Sequence, residues 1–326
     1  MPVQQETPVW RKAWTGALAL LSLAVVSLFV GVHGLSIGEV LGDPEAMKVF
    51  AVSRVPRTLA VVITGASLAV NGMVMQMLVR NRFVEPMTAG TGQGAGLGIL
   101  VSVTVFPAAP LIAKMGIATL AALAASVGFL AIVRRLPPHQ PLLVPLVGMV
   151  YGGILGAVMV FLAYQSDLLQ YIGVWMNGEF SGVLKGRYEL LWIAALAAGF
   201  CYIAADQFSI IGMGHVVSAN LGLNYRQVLL IGLIAISITS ALTVVTVGMI
   251  PFVGLVVPNI VSRHRGDNLR ATLPTTAMMG AGLVLACDIF GRLIRYPFEV
   301  PVGTVFGVVG AVVFLWLLYA PSRHAR

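Results

Sequence analysis

From Thr58 to Val79 the chain carries no charged side chain and almost no polar face. A soluble helix of that length needs one, whereas about 20 apolar residues cross the hydrocarbon core of a bilayer. The run is bounded by Arg54 and Arg57 at its entrance and by Arg80 and Arg82 at its exit. An acid–proline pair, Glu85 and Pro86, follows, and then glycines in alternation from Gly90 to Gly98. The stretch predicts a membrane span with charged ends and a close-packed continuation.

The rest of the chain has the same character. Of its 326 residues 58% are hydrophobic and 10% charged, with a mean hydropathy of +0.94. A soluble domain carries about a quarter charged residues, so the composition excludes one. It predicts an all-α polytopic membrane protein with about ten transmembrane helices. Residues 1–326 read as one transmembrane domain. A net charge of +8 would suggest nucleic acid in a soluble protein; here the placement of the charges points to topology. Cys201 and Cys287 both sit in apolar runs, which indicates neither a disulfide framework nor a metal cluster. The first apolar run, after Arg11 and Lys12, is longer than a signal peptide's and lacks a clean cleavage site. It reads as a retained helix.

Spans are expected near 13–33, 58–79, 91–109, 115–133, 142–164, 189–206, 227–247, 249–262, 273–293 and 301–320. An even number puts both termini on one side. Arginines and lysines then cluster on that side at Arg11–Lys12, Arg80–Arg82, Arg134–Arg135, Arg226, Arg263–Arg270 and Arg323–Arg326. They number twelve against eight opposite, together the 20 of the chain. The positive-inside rule makes the richer side cytoplasmic.

Gly90, Gly92 and Ala95 satisfy a relaxed dinucleotide fingerprint, but no strand precedes them and no acid follows at the required distance. The same glycines form ladders that let helices approach closely. Similar ladders stand at Gly148, Gly152 and Gly156, and at Gly303 and Gly307. Close packing and the lining of a path are both open to them. Asp288 is the one acid inside a span, a functional candidate by default. Arg292, one turn on, can pair with it structurally; a proton-relay role is the alternative. Arg54 with Arg57, and Arg292 with Arg295, present charge in one direction each, toward headgroups or an acidic partner. The segment from Asp206 to Arg226 exceeds a simple turn. Its apolar positions Ile210, Ile211, Met213, Val216, Val217 and Leu221 suit a short interfacial helix, resting on lipid or docking a cytoplasmic protein. No phosphate-loop lysine motif occurs, and His33, His139, His215, His264 and His324 are scattered.

Several motifs coincide in order: RVPRTL from Arg54, NRFVEPMTAG from Asn81, ANLGLN from Ala219, PFVGLVVPNIVSR from Pro251, and the run from Asp288 through EVPVG at Glu299. Over nearly the whole chain the sequence resembles the FecCD family. These are the permeases of bacterial ABC importers for ferric siderophores, haem and cobalamin; the motif forms are most similar to the ferric catecholate-type branch. The resemblance implies ten helices per subunit in the bacterial inner membrane, with both termini cytoplasmic. It implies a second permease subunit, identical or paralogous, two cytoplasmic ATPase subunits and a periplasmic or lipid-anchored substrate-binding protein. ATP and magnesium then belong to the ATPase, and this chain is not itself an enzyme and holds no cofactor. By motif, Arg54, Arg57 and Arg292 correspond to outer positions that meet acids of the binding protein, and Arg295 lies beside them. Gly214, His215, Ser218, Ala219, Asn220, Leu221 and Gly222 match the inner coupling segment; the family often has an acid where His215 stands. The helices of the Gly148–Gly156 and Gly303–Gly307 ladders are similar to those lining the path. The rival readings are a secondary transporter coupled to protons through Asp288 and a membrane-embedded enzyme. Within the family, haem or cobalamin is the alternative substrate.

Overall fold

The structure, a computed structural model, describes residues 9–31, 37–136, 143–266 and 268–319. The side chains of Arg11 and Lys12, together with His33, His139, Arg323, His324 and Arg326, lie outside the described residues. The helices are α1 (Val9–Phe29), α2 (Ile37–Gly42), α3 (Pro44–Val49), α4 (Val55–Val79), α5 (Thr91–Val105), α6 (Leu111–Val133), α7 (Leu143–Gln165) and α8 (Leu169–Met176). They continue as α9 (Leu191–Ile203), α10 (Ala205–Gly212), α11 (His215–Asn220), α12 (Tyr225–Val247), α13 (Val253–Arg265), α14 (Leu269–Leu293) and α15 (Val302–Tyr319). A helix stands at each of the ten expected spans. By length and apolarity alone, α6, α7, α12, α14 and the continuous run from Pro44 through α4 suffice to cross a bilayer. The pair α9–α10, bent by 64°, makes a sixth if counted as one.

The helical run into α4 begins at Pro44 rather than near residue 58, by way of α3 and one π-helical stretch, Phe50–Arg54. Proline 56 explains it. It has no N–H to give the carbonyl of Val52 four residues back, and that carbonyl accepts from Lys185 N–H instead, at 2.9 Å. A single turn inside a longer helix is the form in which π geometry mostly occurs.

Helix α4 is the hub. Its most apolar window is 83% buried, against 22% for α7, and it packs on α9, α12, α13 and α14. Two glycines set the closest crossings. A Cβ on Gly65 would lie 2.6 Å from Gly280 O on α14, and one on Gly72 would lie 1.9 Å from Gly254 O on α13. With 25 residues at about 1.5 Å each, α4 holds the Arg57 and Arg80 ends of the bundle far apart.

Candidate functional site

At the Arg57 end the charged residues converge inward. Arg57 Nη2 donates to Asp288 Oδ1 at 2.8 Å, and its Nη1 donates to both oxygens of Glu299, at 3.0 and 2.8 Å. Arg292 Nη2 reaches Asp288 Oδ2 at 2.5 Å, so each oxygen of this acid holds a different arginine. Helix geometry supplies the second contact, since Asp288 and Arg292 are one turn apart on α14. A backbone bond supplies the third partner: Val300 N–H donates to Gly291 O at 2.9 Å, folding the chain back and bringing Glu299 in.

Arg292, together with Arg54, also finishes α1. The last carbonyls of a helix have no partner within it, and a cation there opposes the helix dipole. Arg292 Nη1 donates to Ser27 O and Val30 O at 2.9 and 2.6 Å, and Arg54 Nη1 donates to Val30 O at 3.1 Å. Ser27 Oγ takes Arg292 Nη2 at 2.7 Å and meets Thr58 Oγ1 at 3.0 Å. Four segments (α1, α4, α14 and the Glu299 turn) are thus clamped by one ionic network.

This differs from the sequence expectation of arginines presented to a partner. Arg54, Arg57 and Arg292 are buried, at 9%, 8% and 3% exposure, with their guanidinium groups turned to internal acceptors. The motif has the right residues, but their partners, Ser27, Val30 and Glu299, are remote in sequence and left no local signal. Arg295 alone of the four is exposed, its charge 5.9 Å from the ring centre of Phe298.

At the Arg80 end two motifs dock on one another. Glu85 is buried, and its Oε1 accepts from Phe252 N–H at 2.6 Å, capping the start of α13. Asn259 Nδ2 donates to Arg82 O at 2.7 Å. Inside α13, Pro258 leaves the carbonyl of Gly254 without its helical donor, and Gln76 Nε2 fills that place at 3.2 Å. Sequence reasoning gave no role to Gln76 and Gly72 and marked Glu85 and Asn259 only as members of the quoted motifs; a proline inside a short apolar helix was the clue that a side chain must complete it.

Burial pushes the Glu85 carboxyl up to about 7, against the pull of the N–H groups of Phe252, Gly254 and Leu255. An acid raised in the fold binds its proton more tightly there than in the unfolded chain, so stability falls as pH rises between the two values. The protein is expected to lose thermal stability from about pH 4.5 to about 7 and to change little from this group above that. Glu85→Gln keeps the acceptor and should flatten the slope. Melting in detergent across that range checks it, and an undiminished slope in the variant would refute it.

The segment after α9 forms two short helices rather than one. α10 buries Phe208 and Ile211, while Met213, Val216, Val217 and Leu221 are exposed. Gly214 separates α10 from α11 at φ 110°, a conformation natural to glycine, with Arg80 packed over it. Ser218 is buried and donates to Gly214 O at 2.8 Å. Gly222 at φ 77° ends α11, with Leu223 N–H bonded to Ser218 O at 3.0 Å. Gly214, Ser218 and Gly222 therefore shape the segment, and His215, Ala219, Asn220 and Leu221 are its exposed face.

The first glycine ladder packs closely, with a Cβ on Gly94 standing 2.5 Å from Ala125 Cβ and one on Gly98 standing 2.6 Å from Ala118 Cα on α6; the other two ladders divide. Gly148 and Gly152 pack α7 on Ala89 and Thr88, and Gly303 sits on Gly178, its N–H bonded to Gly178 O at 2.8 Å. Gly156 has only an ordinary contact with Gln93, and Gly307 has nothing within 4 Å. Helices α7 and α15 keep exposed apolar faces, among them Ile154, Phe161, Val308 and Val312.

The profile of the FecCD transport family matches residues 19–320. The chain is 44% identical over 310 residues to the petrobactin import system permease protein YclN of Bacillus subtilis (strain 168), covering 94% of this chain and 98% of that one. It is 41% identical over 308 residues to the ferric-anguibactin transport system permease protein FatD of Vibrio anguillarum, covering 94% and 98%. The vitamin B12 import system permease protein BtuC of Serratia proteamaculans is 34% identical over 311 residues, at 92% of each. Among solved structures, a metal-chelate type ABC transporter in an inward-facing conformation superposes with a TM-score of 0.80 at 24% identity, over 95% of this chain and 99% of that one.

Proposed function

Because the chain belongs to the FecCD transport family, we propose that it is the membrane permease subunit of an ABC importer that carries ferric siderophores across the bacterial inner membrane. The observation that carries this reading is the end-to-end similarity to permeases for petrobactin and ferric anguibactin, above that to the B12 permeases. ATP is hydrolysed by a separate cytoplasmic subunit, and a substrate-binding protein delivers the iron complex from outside. The Arg57 end faces outward and the Arg80 end faces the cytoplasm, with both termini. A second permease, identical or paralogous, packs against exposed apolar helix faces such as those of α7 and α15, and the substrate path runs between the two subunits.

Each end then has a defined task. A transport cycle needs contacts whose strength differs between states. His215, Ala219, Asn220 and Leu221 offer the ATPase an exposed face on a segment held by Gly214 and Ser218. Outside, the buried arginine network fixes the positions of α1, α4 and α14, while Arg295 supplies an accessible charge for an acidic binding protein. A proton relay through Asp288 is disfavoured, since both its oxygens are taken up by arginines.

Reconstitution with an ATPase subunit and a substrate-binding protein of such an importer tests the reading. ATP-dependent uptake of a radiolabelled ferric catecholate siderophore is expected; uptake that persists without the ATPase would overturn it. Arg295→Glu, which touches no buried partner, should weaken capture of the binding protein several-fold at low salt and less at high salt. Unchanged affinity at low salt would remove Arg295 from the docking surface.

A further inference from the structure

Beside the α10–α11 segment lies a pocket of about 600 Å³ lined by Arg80, Arg134, Arg226, His215, Asn224 and Tyr225, among others, with no acid among its lining residues. The three arginines are exposed, and no ion pair occupies them among the described residues. The acids of this end among the described residues are committed elsewhere: Asp206 pairs with Arg270, and Glu85 caps α13. Net positive charge in a concave site selects an anion.

A second cavity, about 160 Å³, is also lined by Arg134 and Arg226 and is otherwise apolar. Its floor is Leu130, Leu229 and Leu233, all buried, and its rim is Val127 and Leu230, both about two-fifths exposed at 42% and 41%. Helix α6 ends where α12 begins, so Val127 and Leu233 each lie seven residues from the arginine on their own helix. That depth is about 10 Å, directed along two helices long and apolar enough to cross a bilayer. A basic mouth that shares Arg134 and Arg226 with an apolar furrow has the polarity of one class of ligand. Basic pockets at the membrane boundary bind anionic headgroups, and a furrow in the hydrocarbon layer takes an acyl chain. A soluble anion would leave the furrow unused, and an acidic loop of a partner protein would have no reason to enter it.

We propose that Arg80, Arg134 and Arg226, with the Leu130–Leu229–Leu233 furrow, form a binding site for one anionic phospholipid, its phosphate among the arginines and one acyl chain between α6 and α12. The bound lipid would bridge α4, α6 and α12 next to the exposed face of α11. This site stands on membrane embedding alone and does not depend on which substrate is carried.

Native mass spectrometry of the protein from nanodiscs of phosphatidylcholine mixed with phosphatidylglycerol tests it. The wild type should retain phosphatidylglycerol selectively, and R134Q/R226Q should lose that selectivity by about thirtyfold. L230W, which fills the furrow without altering charge, should also lower retention, and R134K/R226K should restore much of it. Equal retention of both lipids by the wild type would overturn the proposal whatever the variants do. So would variants that keep the lipid selectivity but lose binding of the ATPase subunit, which would make the pocket a protein contact.

Discussion

Asp288→Asn is expected to lower the stability of the protein by about 3–5 kcal/mol, the usual cost of breaking a buried ion pair from one side. Asparagine keeps the shape but not the charge, leaving Arg57 and Arg292 buried close together with one acid, Glu299, in place of two. At 1% exposure Asp288 has no water to replace the loss. The damage should spread to α1, because Arg292 also completes its carboxyl end through Ser27 and Val30. Fluorescence-detected size exclusion after graded heating would register it as a sharp fall in folded protein. Adding Arg57→Gln to Asp288→Asn should lose less than the sum of the single changes, because it removes one of the stranded charges. A single variant as heat-resistant as the wild type would mean that the network does not clamp these segments.

Gly72→Ala should be comparably severe, at about 3 kcal/mol or more, the upper part of the range for overpacking. The added methyl would stand 1.9 Å from the carbonyl oxygen of Gly254 and 2.2 Å from its Cα. Backbone lies on both sides, so no side chain can swing away, and α4 and α13 must part. Parting them also pulls Gln76 from the Gly254 carbonyl and strains the Glu85 cap. Gly307→Ala is the matched control: its Cβ would meet nothing within 4 Å, and the same heating assay should show no change. If Gly72→Ala melts with the control, the tight crossing is not what holds α13 in place.

The positions of the helices were legible because hydropathy is a local property: twenty apolar residues announce a span wherever it lies. What hydropathy does not carry is rank. The most apolar windows of α4 and α7 both pass as spans, yet one is the hub and the other lies at the edge with an apolar face uncovered. The glycine pattern was a guide only in part: the ladder through Gly94 and Gly98 does pack α5 tightly on α6. Four-residue ladders drew attention to Gly156 and Gly307, which have room to spare, while the tightest crossings join single glycines on different helices, Gly65 to Gly280 and Gly72 to Gly254. Of the arginine contacts only the pairing of Arg292 with Asp288, one turn away, was legible; the others were not, since Glu299 lies 242 positions from Arg57 and Ser27 lies 265 from Arg292. The family resemblance marked these positions, and only the fold distinguishes Arg295, which is exposed, from the three that are clamped inside.

The partners of α4 have a consequence for how the molecule comes to exist. Arg57, Gly65, Gly72 and Gln76 all meet residues from Gly254 onward: Gly254, Gly280, Asp288 and Glu299. Synthesis proceeds from the amino end, so the hub enters the bilayer long before those residues leave the ribosome. Until then it carries an arginine without its acids and two grooves without their ridges, while α13 and α14 are still unmade. The last quarter of the chain is what closes the molecule, and assembly around α4 is finished late however early α4 is inserted.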